Sequence, residues 1–290
     1  MAKKQKVTLS LLLMNLFIAF LGIGLVIPVL PTLMNELSIS GTVVGYLTAA
    51  FALTQLVVSP FAGKAVDRFG RKIMIVLGLF IFGFSEFLFG LGKTVEVLFI
   101  SRILGGVSAA FIMPAVTAFI ADITTLDTRP KALGYMSAAI STGFILGPGI
   151  GGFLAKYGLK MPLLVSAIVG LLAFVVSYFT LKESKPADLE VAEGPKQSML
   201  KDIVLSVNKP FFIPLVITLI MSLGLMAYET VIGLYVDEVF GATPQDIAFM
   251  VTATGLVGVI MQLFFVDSLV RRFGELTVVR IFLILTAVGF

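Results

Sequence analysis

Ile73-Met-Ile-Val-Leu-Gly-Leu-Phe-Ile-Phe-Gly-Phe-Ser-Glu-Phe-Leu-Phe-Gly-Leu-Gly92 contains a single ionisable residue, Glu86, and is bracketed by Arg71 and Lys72 on one side and Lys93 on the other. A hydrocarbon layer about 30 Å thick needs about 20 apolar residues of helix, and this stretch supplies them. Lipid offers no hydrogen bonds to exposed peptide groups, so a segment of this kind must satisfy its backbone internally as a helix. The stretch therefore reads as a membrane span. Upstream, residues 9–31 and 43–63 read the same way, and downstream so do 97–121, 131–155, 161–181, 211–236 and 246–266. A ninth run starts near Leu276 and stops at Phe290, short of a full crossing, so the chain is expected to end inside the membrane.

Composition agrees with that reading and excludes others. Apolar residues make up 58% of the chain and charged residues only 13%, well outside the balance of a soluble domain. Mean hydropathy is +1.08. Cysteine and histidine are both absent, which removes disulfides, thiol nucleophiles and any Ser-His or Cys-His catalytic pair. No enzyme activity, cofactor or metal is expected. The formal charge of +4 is spread over short loops and not gathered on one patch, so it argues for topology and against nucleic-acid binding.

Basic residues orient membrane proteins toward the cytoplasm. Lys3, Lys4 and Lys6 place the N-terminus there, and alternate loops agree through Lys64, Arg68, Arg71 and Lys72, then Arg129 and Lys131, then Arg271 and Arg272. Lys156 and Lys160 run against the rule. The basic start before residue 9 lacks a small-residue cleavage site and is followed by more spans, so it reads as a retained first helix and not a signal peptide.

One long polar stretch, residues 182–209, contains Pro186, Gly194 and Pro195 among mixed charges and reads as a cytoplasmic linker. Met199, Ile203 and Val207 recur within it at helical spacing, consistent with a short interfacial helix or with a solvated loop. The chain thus divides into residues 1–181 with six spans, the linker 182–209, and residues 210–290 with an incomplete second set. Paired six-helix halves of this kind are a transporter layout.

Several motifs sit on this frame. The loop Gly63-Lys-Ala-Val-Asp67-Arg68-Phe-Gly70-Arg71-Lys72 has two glycines suited to a tight reversal, and Asp67 and Arg71 stand at a pairing distance of four residues. Gly143-Phe-Ile-Leu-Gly147-Pro148-Gly149-Ile-Gly151-Gly152 puts three glycines on one helical face, allowing a neighbouring backbone to approach, while Pro148 should bend the span. Arg102, in Leu98-x-x-x-Arg102-x-x-Gly105-Gly106, is costly in hydrocarbon and should line a pathway with a partner or else snorkel to the surface. Two carboxylates interrupt other spans, Glu86 and Glu229. Burial disfavours the charged form of a carboxyl group, which makes both candidates to carry a proton. Glu229 lies deep in Leu223-Gly-Leu-Met-Ala-Tyr-Glu-Thr230, whereas Glu86 lies nearer a membrane edge, where a solvated role is equally open.

The first of these motifs resembles the loop signature of the major facilitator superfamily, which implies a charged cytoplasmic latch made by Gly63, Asp67, Arg68, Gly70, Arg71 and Lys72. The glycine motif is similar to the Gly-x-x-x-Gly-Pro-x-x-Gly-Gly signature of drug:proton antiporters, carried here by Gly143, Gly147, Pro148, Gly151 and Gly152. The Arg102 segment resembles that family's proton-relay motif, with Gly105 where glutamine is frequent. Together with Phe20-Leu-Gly-Ile-Gly-Leu-Val-Ile-Pro-Val-Leu-Pro31, Ala49-Ala-Phe-Ala-Leu-Thr-Gln55 and Gly134-Tyr-Met-Ser-Ala138, they make nearly the whole chain resemble NorA-type multidrug and quinolone efflux proteins. The resemblance implies an all-α, major facilitator-type helical bundle in the cell membrane, with a complete six-helix first half and a partial second half. It implies monomeric, proton-driven export of hydrophobic, often cationic or zwitterionic drugs. Glu229, Arg102 and Glu86 would serve proton coupling, and Gln55, Ser141, Phe144 and Glu229 would face the substrate. Export of an endogenous metabolite or sugar, and a non-transporting membrane fragment, stay open as alternatives.

Overall fold

The structure, a computed structural model, describes residues 3–184 and 212–289. Seven helices come first: α1 (Lys3–Val26), α2 (Leu30–Glu36), α3 (Gly41–Phe69), α4 (Arg71–Leu91), α5 (Val95–Ile123), α6 (Arg129–Ala155) and α7 (Met161–Thr180). After the interval come α8 (Phe212–Phe240), α9 (Pro244–Ile260), a π-helical stretch (Met261–Val266), α10 (Asp267–Phe273) and α11 (Glu275–Gly289). Eight helices among the described residues are long and apolar enough to cross a membrane, and Leu276–Ala287 is a shorter apolar helix. The chain is an all-α, multi-pass membrane protein. Most of the linker, including the segment around Met199, Ile203 and Val207, lies outside the described residues.

Two boundaries differ from the sequence reading for definite reasons. The first apolar run does not continue to Pro31 as one helix: α1 stops at Val26, residues 27–29 form a turn, and α2 is a separate short helix. Pro28 has no backbone N–H and disfavours helix in the residue before it, which ends α1 where hydropathy alone sees no break. Gly63 is the second correction. It lies inside α3, which runs on to Phe69, and the reversal falls on Gly70 alone, whose φ of +104° is open to glycine and strained for other residues.

Packing among α1 to α7 follows the small residues. Helix α1 lies against α6 and α7, α4 against α5 and α7, and α3 against α5. Where lipid is the solvent, helices gain little by hiding apolar surface from one another, so close backbone approach and interhelical hydrogen bonds must hold them. Both occur. Ser101 and Ser108 on α5 donate to the carbonyl oxygens of Ser85 and Gly78 on α4, each at 2.8 Å. Asn15 of α1 donates through Nδ2 to the Ser177 hydroxyl of α7 at 2.8 Å. Large apolar side chains such as Phe61, Leu172 and Phe179 remain exposed, as suits a surface bathed in lipid.

The helices after residue 211 meet those before residue 185 through α9, which packs on α6, and through α8, which touches α2 and α3. A capping box fixes the start of α9: the Asp246 amide donates to Thr243 Oγ1 at 3.3 Å and the Thr243 amide donates to Asp246 Oδ2 at 2.9 Å. Contacts between these two sets of helices include Asn35 with Asp237 and Gly152 with Gln245 and Ala248.

Candidate functional site

A cavity of about 300 Å³ opens in the bundle between α1, α3, α4, α5, α6 and α8. Its wall is mainly aromatic and aliphatic, with Phe20, Phe51, Phe82, Phe89 and Phe144 on it, and its only ionisable lining residues among those described are Glu86 and Arg102. Gln55 adds a neutral polar group. A second cavity of about 220 Å³ lies between α6, α8 and α9 and shares Ile27, Phe144 and Gly233 with the first.

The two charges are brought together by the α4–α5 pairing. Arg102 Nη2 stands 3.4 Å from Glu86 Oε1, and the guanidinium lies 4.0 Å from the centroid of the Phe89 ring. Glu86 is only 4% exposed, so the solvated role left open for it does not hold, and Arg102 turns inward to a partner and does not snorkel. Gly105 and Gly106 let α3 approach α5: a Cβ on Gly105 would sit 3.1 Å from the Phe51 ring, and one on Gly106 would run into the α3 backbone. Glycine at 105 thus lets Phe51 into the cavity wall where a longer side chain would stand.

The remaining expected residues divide. Gln55 and Phe144 both line the main cavity, and Phe144 packs on Phe20 with ring centroids 5.1 Å apart. Ser141, in contrast, is exposed on α6 and is not among the residues lining either cavity. It stands three residues, nearly one helical turn, before Phe144. Glu229 falls on α8, but its side chain lies outside the described residues.

At the N-terminal end of the bundle the charged turn between α3 and α4 is drawn tight. Asp67 pairs with Arg71 at 3.3 Å, as the spacing predicts. Two further partners were not evident in the sequence: Arg71 Nε donates to Asp122 Oδ2 at 3.0 Å, and Arg71 Nη1 donates to the Val66 carbonyl at 3.2 Å. The carboxylate of Glu183, just past α7, accepts from the Arg71 amide at 2.8 Å and from the Lys72 amide at 3.2 Å. It occupies the N-terminus of α4, where free amides favour an anion. Asp122 and Glu183 are each the first acid after an apolar run, and that position was the only sign they carried.

The glycine motif is an interface in two directions. Gly143, Gly147 and Gly151 face α1, where a Cβ on Gly147 would lie 2.7 Å from the Gly24 Cα and one on Gly151 would meet the Leu25 carbonyl. Gly149 and Gly152 face α9, toward Thr252 and Ala248. Gln245 Nε2 of α9 donates to the Gly152 carbonyl at 3.1 Å. The motif therefore lies where α6 meets both α1 and α9, and α6 continues through Pro148.

The sequence model of the Major Facilitator Superfamily matches residues 12–290. The chain belongs to the major facilitator superfamily. Among curated proteins, this major facilitator chain is 59% identical over 98% of its length to multidrug resistance protein 1 of Bacillus subtilis, covering 72% of that protein. It is 42% identical over 91% of its length to the quinolone resistance protein NorA of Staphylococcus aureus, covering 67% of it. Among solved structures it superposes on a bacterial homologue of the human lysosomal transporter Spinster, in an inward-facing and unoccupied conformation, with a TM-score of 0.75, at 18% identity. It covers 94% of its own length there and 64% of the other chain, and so spans less than two thirds of that transporter. The nucleoside transporter NupG superposes with a TM-score of 0.72 at 14% identity, over 92% of this chain and 68% of the other. At such identities these structures speak to the fold alone.

Proposed function

We propose that the protein is a proton-coupled antiporter that exports hydrophobic, often cationic or zwitterionic drugs from the cell by alternating access. The observation that carries this reading is the cavity itself: an aromatic chamber walled by both halves, with one ion pair as its only ionisable lining among the described residues. Apolar walls with few polar groups accept varied hydrophobic compounds. Kinship to proteins named for multidrug and quinolone resistance supports the same cargo.

In this reading the N-terminus is cytoplasmic, residues 1–181 and 210–290 form the two halves, and 182–209 tethers them. The contacts of α9 with α6 and of α8 with α2 then close the outer face. Glu229, with Glu86 and Arg102, takes part in proton coupling, so that proton and drug exclude one another in the cavity. One charge moving through 100 mV supplies about 2.3 kcal/mol, enough to drive accumulation against a modest gradient. The turn from Asp67 to Lys72 latches the inner face, and the glycine seam between α1, α6 and α9 lets the halves rock.

The test is dye and quinolone efflux by the full-length protein in energised vesicles, with Glu229→Gln beside the wild type. Loss of proton-dependent efflux in the variant supports the reading; undiminished coupling rejects Glu229 as carrier, and no efflux by the wild type rejects drug export.

A further inference from the structure

Lys156 and Lys160 stand on the wrong side of the membrane for the rule that orients the rest of the chain. Both belong to the short connection between α6 and α7, and three crossings, α4, α5 and α6, separate them from the charged turn at Arg71. Helix electrostatics explains only one of the two. Lys156 is the C-cap of α6, where the partial negative charge of a helix end favours a cation. Lys160 is the N-cap of α7, where the partial charge is positive, and no acid stands in the first turn to offset it. Among the described residues neither lysine forms an ion pair. Two acids of this surface are engaged elsewhere: Asp237 accepts from Asn35, and Asp246 accepts from the Thr243 amide.

The loop that carries these charges is held in shape by its own backbone. The Tyr157 amide donates to the Leu154 carbonyl at 3.0 Å, that of Gly158 to Ala155 at 3.1 Å, and that of Met161 to Gly158 at 3.0 Å. Phe153 and Tyr157, one turn apart, meet edge to face with ring centroids 5.8 Å apart, and Lys156 Nζ stands 5.9 Å from the Phe153 centroid. Leu146, Ile150, Phe153 and Tyr157 form one exposed stripe along α6. The glycines of that helix turn toward α1 and α9 and Phe144 turns toward the cavity, so the stripe is the remaining face, the one that meets lipid. An apolar stripe that ends in a tyrosine and is topped by cations complements a phospholipid, with acyl chains along the helix and the phosphate at the lysines.

We infer that Lys156 and Lys160, with Tyr157 between them, form a surface site for the headgroup of an anionic phospholipid in the leaflet bordering this end of the bundle. In the orientation proposed above that leaflet is the outer one, but the site depends neither on the orientation nor on drug export. A zwitterionic headgroup brings its own ammonium toward the lysines and gains less than a headgroup of net negative charge. The bound lipid offsets the cation at the start of α7 and steadies the loop that follows α6, the helix packed on both α1 and α9.

The experiment reads lipid contact directly. Residues 1–290 contain no tryptophan, so Tyr157→Trp places a fluorescent reporter at the site, and the same protein without the substitution supplies the background. The purified full-length protein is reconstituted in phosphatidylcholine bilayers, and quenching by brominated phosphatidylglycerol is compared with quenching by brominated phosphatidylcholine at equal mole fraction. A lysine at a charged membrane surface contributes several-fold in affinity, so the pair should favour phosphatidylglycerol by about tenfold at low salt. The preference should shrink at high salt. It should be lost in Lys156→Gln/Lys160→Gln, fall part-way in each single variant, and persist in Lys93→Gln, which alters another loop of the same surface. The single variants carry the test if the double variant does not elute as a monodisperse peak. Equal quenching by the two lipids in the parent, or an undiminished preference in the lysine variants, overturns the inference. Excess inorganic phosphate should leave the preference in place; its loss would reveal a site for soluble anions and overturn the lipid assignment. Transport is not the readout, so an absence of drug efflux leaves this test intact.

Discussion

Asn35 Nδ2 of α2 donates to Asp237 Oδ2 of α8 at 2.7 Å, a hydrogen bond between residues 202 positions apart that joins the first half of the chain to the second. It lies at the end of the bundle opposite the N-terminus, near Gly41, whose Cβ position is 3.6 Å from Leu234. An exposed charge-assisted bond contributes about 1 kcal/mol, which is several-fold in a two-state population. Asn35→Ala should therefore raise the fraction of molecules open at this end. The chain has no cysteine, so a single cysteine at Leu234 reports cleanly: maleimide labelling should be several-fold faster in the Asn35→Ala background, and an unchanged rate would show that the bond does not hold the halves together.

Arg71 is the centre of the charged turn, 8% exposed and bonded to Asp67, Asp122 and the Val66 carbonyl. Arg71→Ala would take the cation from Asp122, whose side chain is 15% exposed and keeps the Ser184 hydroxyl as a donor, a loss of about 1–3 kcal/mol. The thermal midpoint in detergent should fall by several degrees. Arg71→Lys should recover only part of this, because an ammonium cannot reproduce the forked geometry that reaches three acceptors.

Gly63 and Gly70 should respond oppositely to alanine. Gly63 sits within α3 with nothing near its Cβ position, so Gly63→Ala should be neutral or stabilising by up to about 1 kcal/mol through helix propensity. Gly70 has φ of +104° and its Cβ would strike the Glu183 carboxylate. Gly70→Ala should cost about 1–3 kcal/mol in backbone strain and displace Glu183 from the α4 amides. Thermal melts of the two variants separate these outcomes; equal losses would restore the two-glycine turn.

The α1–α6 seam should tolerate no added volume. Gly147→Leu or Gly151→Val would force a side chain into the backbone of Gly24 or Leu25, and both should fail to give a monodisperse protein. Gly134, on the same helix with open space around it, is the control: Gly134→Ala should behave as wild type in size-exclusion chromatography.

How far residues alone could carry the reading depended on the kind of interaction. The spans were legible because transfer into hydrocarbon is decided locally, by some twenty consecutive side chains and their backbone; residues 73–92 declared α4 without reference to any neighbour. Asp67 and Arg71 were legible as neighbours because only four positions separate them, although they pair across the Gly70 turn and not along one helix. The seam glycines announced that some helix would come close.

Tertiary structure alone decided which helix, and which charges meet. Glu86 and Arg102 are 16 residues apart on two helices, and nothing in their spacing distinguishes a pair in a cavity from two groups reaching separate surfaces. Asp122 and Glu183 complete the Arg71 cluster from elements whose ends converge only in three dimensions. Ser141 and Phe144 stand nearly one turn apart on the same side of α6, yet only Phe144 lines a cavity, and nothing in their own segment tells the two apart. Partitioning between water and lipid is a property of a segment, so the sequence determined the spans; pairing inside the bundle is a property of how helices are turned toward one another, which only the packed structure could decide.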